Sequence, residues 1–156
     1  MTKKTLRIFP VLIILFLAAF LSEAKAQTIT GSIGTVKRGG SVKGTITMTI
    51  PDGLHVNSNR PNNKYAIPTT LKITATDGAR ISRLVYPRGK NKKFGFSDEA
   101  INVYEGRIVF SFNLSVPKDF RKSTVPVRVA ARFQACTDEV CYPPRTREIT
   151  LTARVK

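Results

Sequence analysis

Cys136 and Cys141 are the only cysteines in a chain of 156 residues, and their type and spacing allow them to do chemistry as a pair. Thr137-Asp138-Glu139-Val140 lies between them, and Tyr142-Pro143-Pro144 follows. An alternating segment runs up to the first cysteine and another starts near Thr146, so the stretch reads as a hairpin with a cysteine at each shoulder. Opposed positions of an antiparallel pair have Cα atoms about 4.5–5.5 Å apart, within disulfide reach. Such a bond can exchange with outside thiols. A thiolate attacks one sulfur, a mixed disulfide forms, and the second cysteine resolves it.

A structural staple is the other reading. Closing so short a loop removes only about 2 kcal/mol of chain entropy, and a hairpin already held by its strands gains less. Arg132, Arg145 and Arg147 would favour a thiolate, while Asp138 and Glu139 would oppose it. On these residues alone both readings stay open, and nothing says which cysteine is attacked first.

Other chemistries lack parts. His55 is the sole histidine, so a zinc site or a serine triad would need unusual ligands. Gly39-Gly40 is a turn without the Gly-Lys-Ser/Thr of a phosphate loop. A copper or haem-assembly accessory built on Cys136, Cys141 and His55 ranks last, because Met48 is the only methionine beyond the initiator and a methionine-rich copper site is excluded. No cofactor and no metal is expected.

Strands must position the pair. Val42, Ile46, Met48 and Ile50 share one face of Ser41 to Ile50, with Lys43, Thr45, Thr47 and Thr49 on the other. The same period of two runs through Arg107 to Val116, through Thr124 to Ala135, and through Ile149, Leu151, Ala153 and Val155. Weaker strands are expected at Thr28 to Val36, Thr70 to Thr76 and Arg80 to Tyr86. Turn formers such as Pro51-Asp52-Gly53 and Asp77-Gly78 separate them. No segment keeps a helical period. Seven or so strands with one wet face each predict an all-β protein, an immunoglobulin-like antiparallel β-sandwich, with a jelly roll or small barrel as the alternative. The chain has no tryptophan, so phenylalanines must fill its core. Asn59 to Ile67 and Gly89 to Ala100 read as long irregular loops, and Lys90-Asn91-Lys92-Lys93 as a solvated basic cluster.

The start of the chain reads as a secretory signal peptide rather than as fold. Lys3, Lys4 and Arg7 precede a 14-residue apolar run, Ile8 to Leu21, too short for the roughly 20 residues of a membrane span. Ala24-Lys25-Ala26 supplies the cleavage site. No cysteine lies near it, which excludes a lipoprotein anchor. Residues 1–26 are therefore the leader and 27–156 one domain. Lys3, Lys4, Arg7 and Lys25 against Glu23 give the leader a net +3, which leaves +13 of the chain's +16 on the domain. Such a charge favours acidic partners. The basic residues are scattered and not interleaved with aromatics, so nucleic acid is not an expected partner. A monomer without a membrane span after cleavage is expected, periplasmic or secreted. A basic sandwich that only binds, with the disulfide as a staple, is the competing function.

The cysteine hairpin with its Tyr142-Pro143-Pro144 tail resembles the N-terminal periplasmic domain of the thiol:disulfide interchange protein DsbD. The stretch Asp52-Gly53-Leu54-His55-Val56-Asn57-Ser58, then Pro61 and Ile67-Pro68-Thr69, resembles that family's "G-x-H-x-(Y/N)" and "(L/I)-P-T" segments in the right order. The resemblance implies an immunoglobulin-like sandwich in which Cys136 and Cys141 shuttle between dithiol and disulfide. It implies electrons taken from a thioredoxin-like domain and passed to periplasmic thiol proteins, such as disulfide isomerases and cytochrome c maturation factors. It also implies an aromatic cover over the pair, for which Phe94 and Phe96 are the candidates. Tyr104, Tyr142 and His55 would line the site or serve as packing. The family's multi-helix membrane domain and C-terminal thioredoxin-like domain have no counterpart in these residues, so either the reductant is met in trans or the redox role is lost and the fold kept.

N-terminal sequencing of exported material is expected to begin at Gln27. Recovery of Met1 in the membrane fraction would refute the leader.

Overall fold

The computed structural model describes residues 26–95 and 97–156. Residues 1–25 and Phe96 lie outside it, and with them the signal-peptide reading and half of the expected cover. The described chain is all-β. Twelve strands follow in order: β1 (Thr28–Ile33), β2 (Thr35–Val36), β3 (Ser41–Thr49), β4 (His55–Asn57), β5 (Thr70–Ala75), β6 (Arg80–Val85), β7 (Lys90–Lys92), β8 (Ile101–Tyr104), β9 (Arg107–Ser115), β10 (Thr124–Phe133), β11 (Ala135–Cys136) and β12 (Arg145–Val155).

Two four-stranded sheets form an immunoglobulin-like sandwich, β1-β3-β9-β6 and β2-β12-β10-β5. The period of two explains the packing. From the first sheet Ile46, Met48, Phe110, Phe112 and Leu114 are buried; from the second, Val125, Val127, Val129, Ala131, Phe133, Leu151 and Ala153. Their polar alternates face water. Phe110, Phe112, Phe120 and Phe133 fill the centre, as the absence of tryptophan requires. Gly44 has a packing reason: it stands opposite Phe112 in the β3–β9 register, and a Cβ there would collide with the phenylalanine ring. All these ladders are antiparallel save one, the β12–β2 pair at Arg154↔Thr35 and Val155↔Val36.

A third, smaller sheet, β11-β4-β8-β7, is an addition to the two expected. It absorbs part of the stretch from Gly89 to Ala100 that the sequence reads as loop. Lys90–Lys92 is its edge strand, paired with Ile101–Tyr104 through Lys90↔Val103, Asn91↔Asn102 and Lys92↔Ile101. The basic cluster is therefore an edge strand and not a free loop. This third sheet carries the cysteine hairpin. Among the described residues no helix is long and apolar enough to cross a membrane.

Candidate functional site

Strand β10 ends at Phe133, and after Gln134 the chain changes sheets. Strand β11 pairs with β4 in a two-residue ladder, Ala135↔Val56 and Cys136↔His55. The chain then turns back. Thr137 N–H donates to the Val140 carbonyl at 2.8 Å, and Tyr142 N–H to the Ala135 carbonyl at 2.8 Å. The Thr137 hydroxyl accepts from the N–H groups of Glu139 and Val140 at 3.2 and 3.0 Å, which fixes the turn locally. Cys136 and Cys141 face each other across it as a bridge pair. Their Cα atoms are 4.0 Å apart and their sulfurs are bonded.

The two sulfur-bearing residues differ in access. Cys136 is 0% exposed, whereas Cys141 is exposed. A cavity of about 300 Å³ opens beside them. His55 and Asn57 of β4, Gln134, Ile101 and Ser97 form its walls, and Asn63, Tyr65 and Ala66 approach from the loop after β4. Exposed apolar side chains gather around it. Tyr65 is 82% exposed, Val140 56% and Tyr142 46%, so three of the five exposed large hydrophobics among the described residues adjoin the hairpin or its cavity.

Polar groups under the site are satisfied. The Thr69 hydroxyl donates to the Asn57 carbonyl at 2.6 Å, and the Asn57 amide donates to the Ile67 carbonyl at 3.0 Å. Thr69 N–H donates to the Ser58 carbonyl at 3.1 Å. The "H-x-N" and "I-P-T" segments thus meet because one ties down the other, and their buried Asn57 and Thr69 are framework. Gln134 donates to the Tyr142 carbonyl at 3.1 Å and so holds the returning arm of the hairpin.

His55 is 2% exposed. Its ring stacks on Phe94, with centroids 4.3 Å apart and planes at 19°. Burial, and then the nearby Lys92 ammonium, hold its pKa below the ordinary 6.5. Lys92 bridges Glu105 at 3.0 Å and Asp138 at 3.2 Å and lies 5.4 Å from the centre of the Phe94 ring. Hydrogen bonds to those carboxylates raise its pKa, so it stays charged. Asp138 belongs to the turn between the cysteines, so this one ammonium ties the turn to edge strand β7. Reading Lys92 as solvated missed that role; nothing in the run Lys90-Asn91-Lys92-Lys93 sets it apart from its neighbours.

The other site residues separate. Phe94 is 4% exposed and packs with Ile101, Val103 and Ala66; Ile101 and Ala66 line the cavity, and Phe94 itself does not. Tyr104 is buried in the main core. Its hydroxyl donates within reach of Asn59 Oδ1 at 2.7 Å and the Pro87 carbonyl at 3.0 Å, and burial raises its pKa. Tyr142 lines a different cavity, of about 340 Å³, with Leu54, Phe133, Pro143 and Arg145. Only His55 among the candidate lining residues shares the cavity with the cysteines.

A family model described as thiol:disulfide interchange protein DsbD, N-terminal, matches residues 19–153. A search of curated protein sequences finds no match. Among solved structures, the N-terminal periplasmic domain of ScsB from Proteus mirabilis superposes with a TM-score of 0.58 at 12% identity, over 84% of this chain and 48% of that one. This chain therefore spans about half the length of that structure, and the likeness is one of fold. The Neisseria meningitidis DsbD N-terminal domain in the reduced form gives a TM-score of 0.44 at 16% identity, over 81% of this chain and 86% of that one.

The lowered pKa of His55 has a stability consequence. Between the folded value and 6.5 the unfolded chain binds more protons than the native one. Native stability is then full above the unfolded value and declines as pH falls through it, levelling off below the folded value. Urea midpoints measured from about pH 7 to about pH 5 are expected to show this decline, and a His55→Phe variant to lack it. Equal slopes in both proteins would contradict it.

Proposed function

The chain belongs to the DsbD N-terminal family, and on that footing we propose that it is a periplasmic thiol–disulfide exchange protein whose electrons pass through the Cys136/Cys141 pair. The observation that carries this reading is the unequal access of the two cysteines: Cys136 is fully buried and Cys141 exposed. A structural staple has no need of an exposed member beside a cavity, whereas exchange requires an accessible sulfur.

The direction of attack follows from access. An incoming thiolate reaches Cys141 Sγ, a bond forms to it, and the bond to Cys136 breaks with Cys136 as the leaving thiolate. A second partner thiol then displaces Cys141, which leaves the pair as a dithiol and the partner as a disulfide. The reverse sequence passes two electrons outward. The partner is a thioredoxin-like domain or another periplasmic thiol protein, and no cofactor takes part. Tyr65, Val140 and Tyr142 supply apolar contact around the reacting sulfur, which suits a transient docking surface.

Within this reading Phe94 is the proposed cover. Its ring stacks on His55, and Lys92 near it is tied to Asp138 in the cysteine turn; both contacts support a role for Phe94 in restricting approach to the pair.

Cys136→Ser leaves Cys141 able to attack but unable to be displaced from within. Incubated with a thioredoxin-like protein that keeps a single active-site cysteine, activated as its nitrobenzoate mixed disulfide, this variant is expected to accumulate a protein–protein mixed disulfide as the coloured thiolate departs, while Cys141→Ser does not. The native reduction potential is expected to lie above about −300 mV, the region of exchangeable bonds. A lower potential without any trapped complex would leave the basic binding module with a structural disulfide.

Replacing Phe94 by Ala is expected to speed reduction by dithiothreitol and, because the ring is buried, to lower stability by about 3–5 kcal/mol. An unchanged reduction rate in the folded variant would refute the cover.

A further inference from the structure

We propose that His55 is the proton acceptor for Cys136 in the step that re-forms the disulfide. The inference rests on the exchange reading and adds a residue to its chemistry.

Three observations place His55 for that task. The β11–β4 register sets it directly opposite Cys136. Opposed residues of an antiparallel pair project to the same side, with Cβ atoms about 4.5–5.5 Å apart. His55 and both cysteines line one cavity of about 300 Å³. Stacking on Phe94 fixes the imidazole plane, so the ring is held rather than free to swing to solvent.

The step needs such a group. Once Cys141 carries the partner as a mixed disulfide, Cys136 must attack as a thiolate, yet it sits where water does not reach it. A charge formed there is poorly solvated, and proton removal during attack avoids building it in isolation. The Cys136 S–H proton passes to the neutral imidazole. The sulfur's electron pair forms the bond to Cys141 Sγ, the bond from Cys141 to the partner sulfur breaks, and the partner departs as a thiolate. The imidazolium then returns its proton to solvent at the open side of the cavity. Two electrons of the dithiol end on the partner's two sulfurs. In the opposite direction the same imidazolium protonates Cys136 as it leaves.

The charges that face His55 keep it available as a base. Lys92 of β7 opposes its protonation; Asp138 of the cysteine turn and Glu105 after β8 favour it and are both engaged by Lys92. Burial is the larger cause, Lys92 adds to it, and the two prevail. His55 is the only histidine in the chain, so its titration is assigned without ambiguity.

The test uses the reduced protein and the coloured aromatic disulfide dithiobis(nitrobenzoate) in a stopped-flow instrument. The first coloured thiolate is released when Cys141 attacks, the second when Cys136 resolves the adduct. In His55→Asn the second release is expected to slow at least about tenfold near neutral pH, with the first unchanged. In the unmodified protein the second release is expected to fall on the acid side with an inflection at the pH where the His55 ring protons titrate by NMR. A histidine that only packs would leave that pH profile without the inflection. An unchanged second phase in the folded variant, or an acid limb that does not track His55, would overturn the proposal while leaving exchange intact. Absence of any second release from the unmodified protein would overturn the exchange reading, and the role of His55 with it.

Discussion

Two residue pairs between β11 and β4 decide what the cysteine hairpin presents. Because side chains alternate across a strand, a shift of one residue in that ladder would turn Cys136 outward and put a neighbour in its place. Ala135 against Val56 and Cys136 against His55 hold the register, and so short a ladder needs help. Gln134 supplies part of it by holding the returning arm through the Tyr142 carbonyl. Below, Asn57 and Thr69 knit β4 to the chain that follows the long loop. The buried cysteine, the exposed cysteine and the cavity beside them all follow from that one register.

Lys92 adds an electrostatic restraint from the other edge of the same sheet. One ammonium serves two carboxylates, Glu105 beside β8 and Asp138 in the turn. Ion pairs this exposed contribute little to stability, so their importance lies in where they hold the turn. Between them, Lys92 and Phe94 also define the surroundings of His55, the first by charge and the second by stacking.

The sandwich was legible in the sequence wherever a strand has one dry and one wet face. Strands β3, β9, β10 and β12 alternate cleanly, and their inward residues are the core. The third sheet was not legible. All three residues of β4 are buried and β8 is nearly so, which erases the alternation, while β7 is three polar residues at an edge. The cysteine hairpin itself stood out by residue type and spacing. Its unequal access did not, since that depends on a change of sheet between Phe133 and Ala135. Lys92 escaped for a related reason: a lysine in a basic run looks solvated until the fold brings Asp138, from 46 positions away, to its ammonium.

The closeness of the two cysteines along the chain, five positions apart, bears on what sets the reduction potential. Folding and reduction form a thermodynamic cycle: the amount by which the bond stabilises the native state equals the amount by which the native state holds the bond. A loop this short contributes about 2 kcal/mol, which corresponds to about 40 mV for a two-electron couple. Chain restraint by the sandwich can therefore move the potential only slightly from that of the same hairpin in an unfolded chain. Larger tuning falls to the few groups around the sulfurs, so the redox poise can change by local substitution while the fold stays as it is.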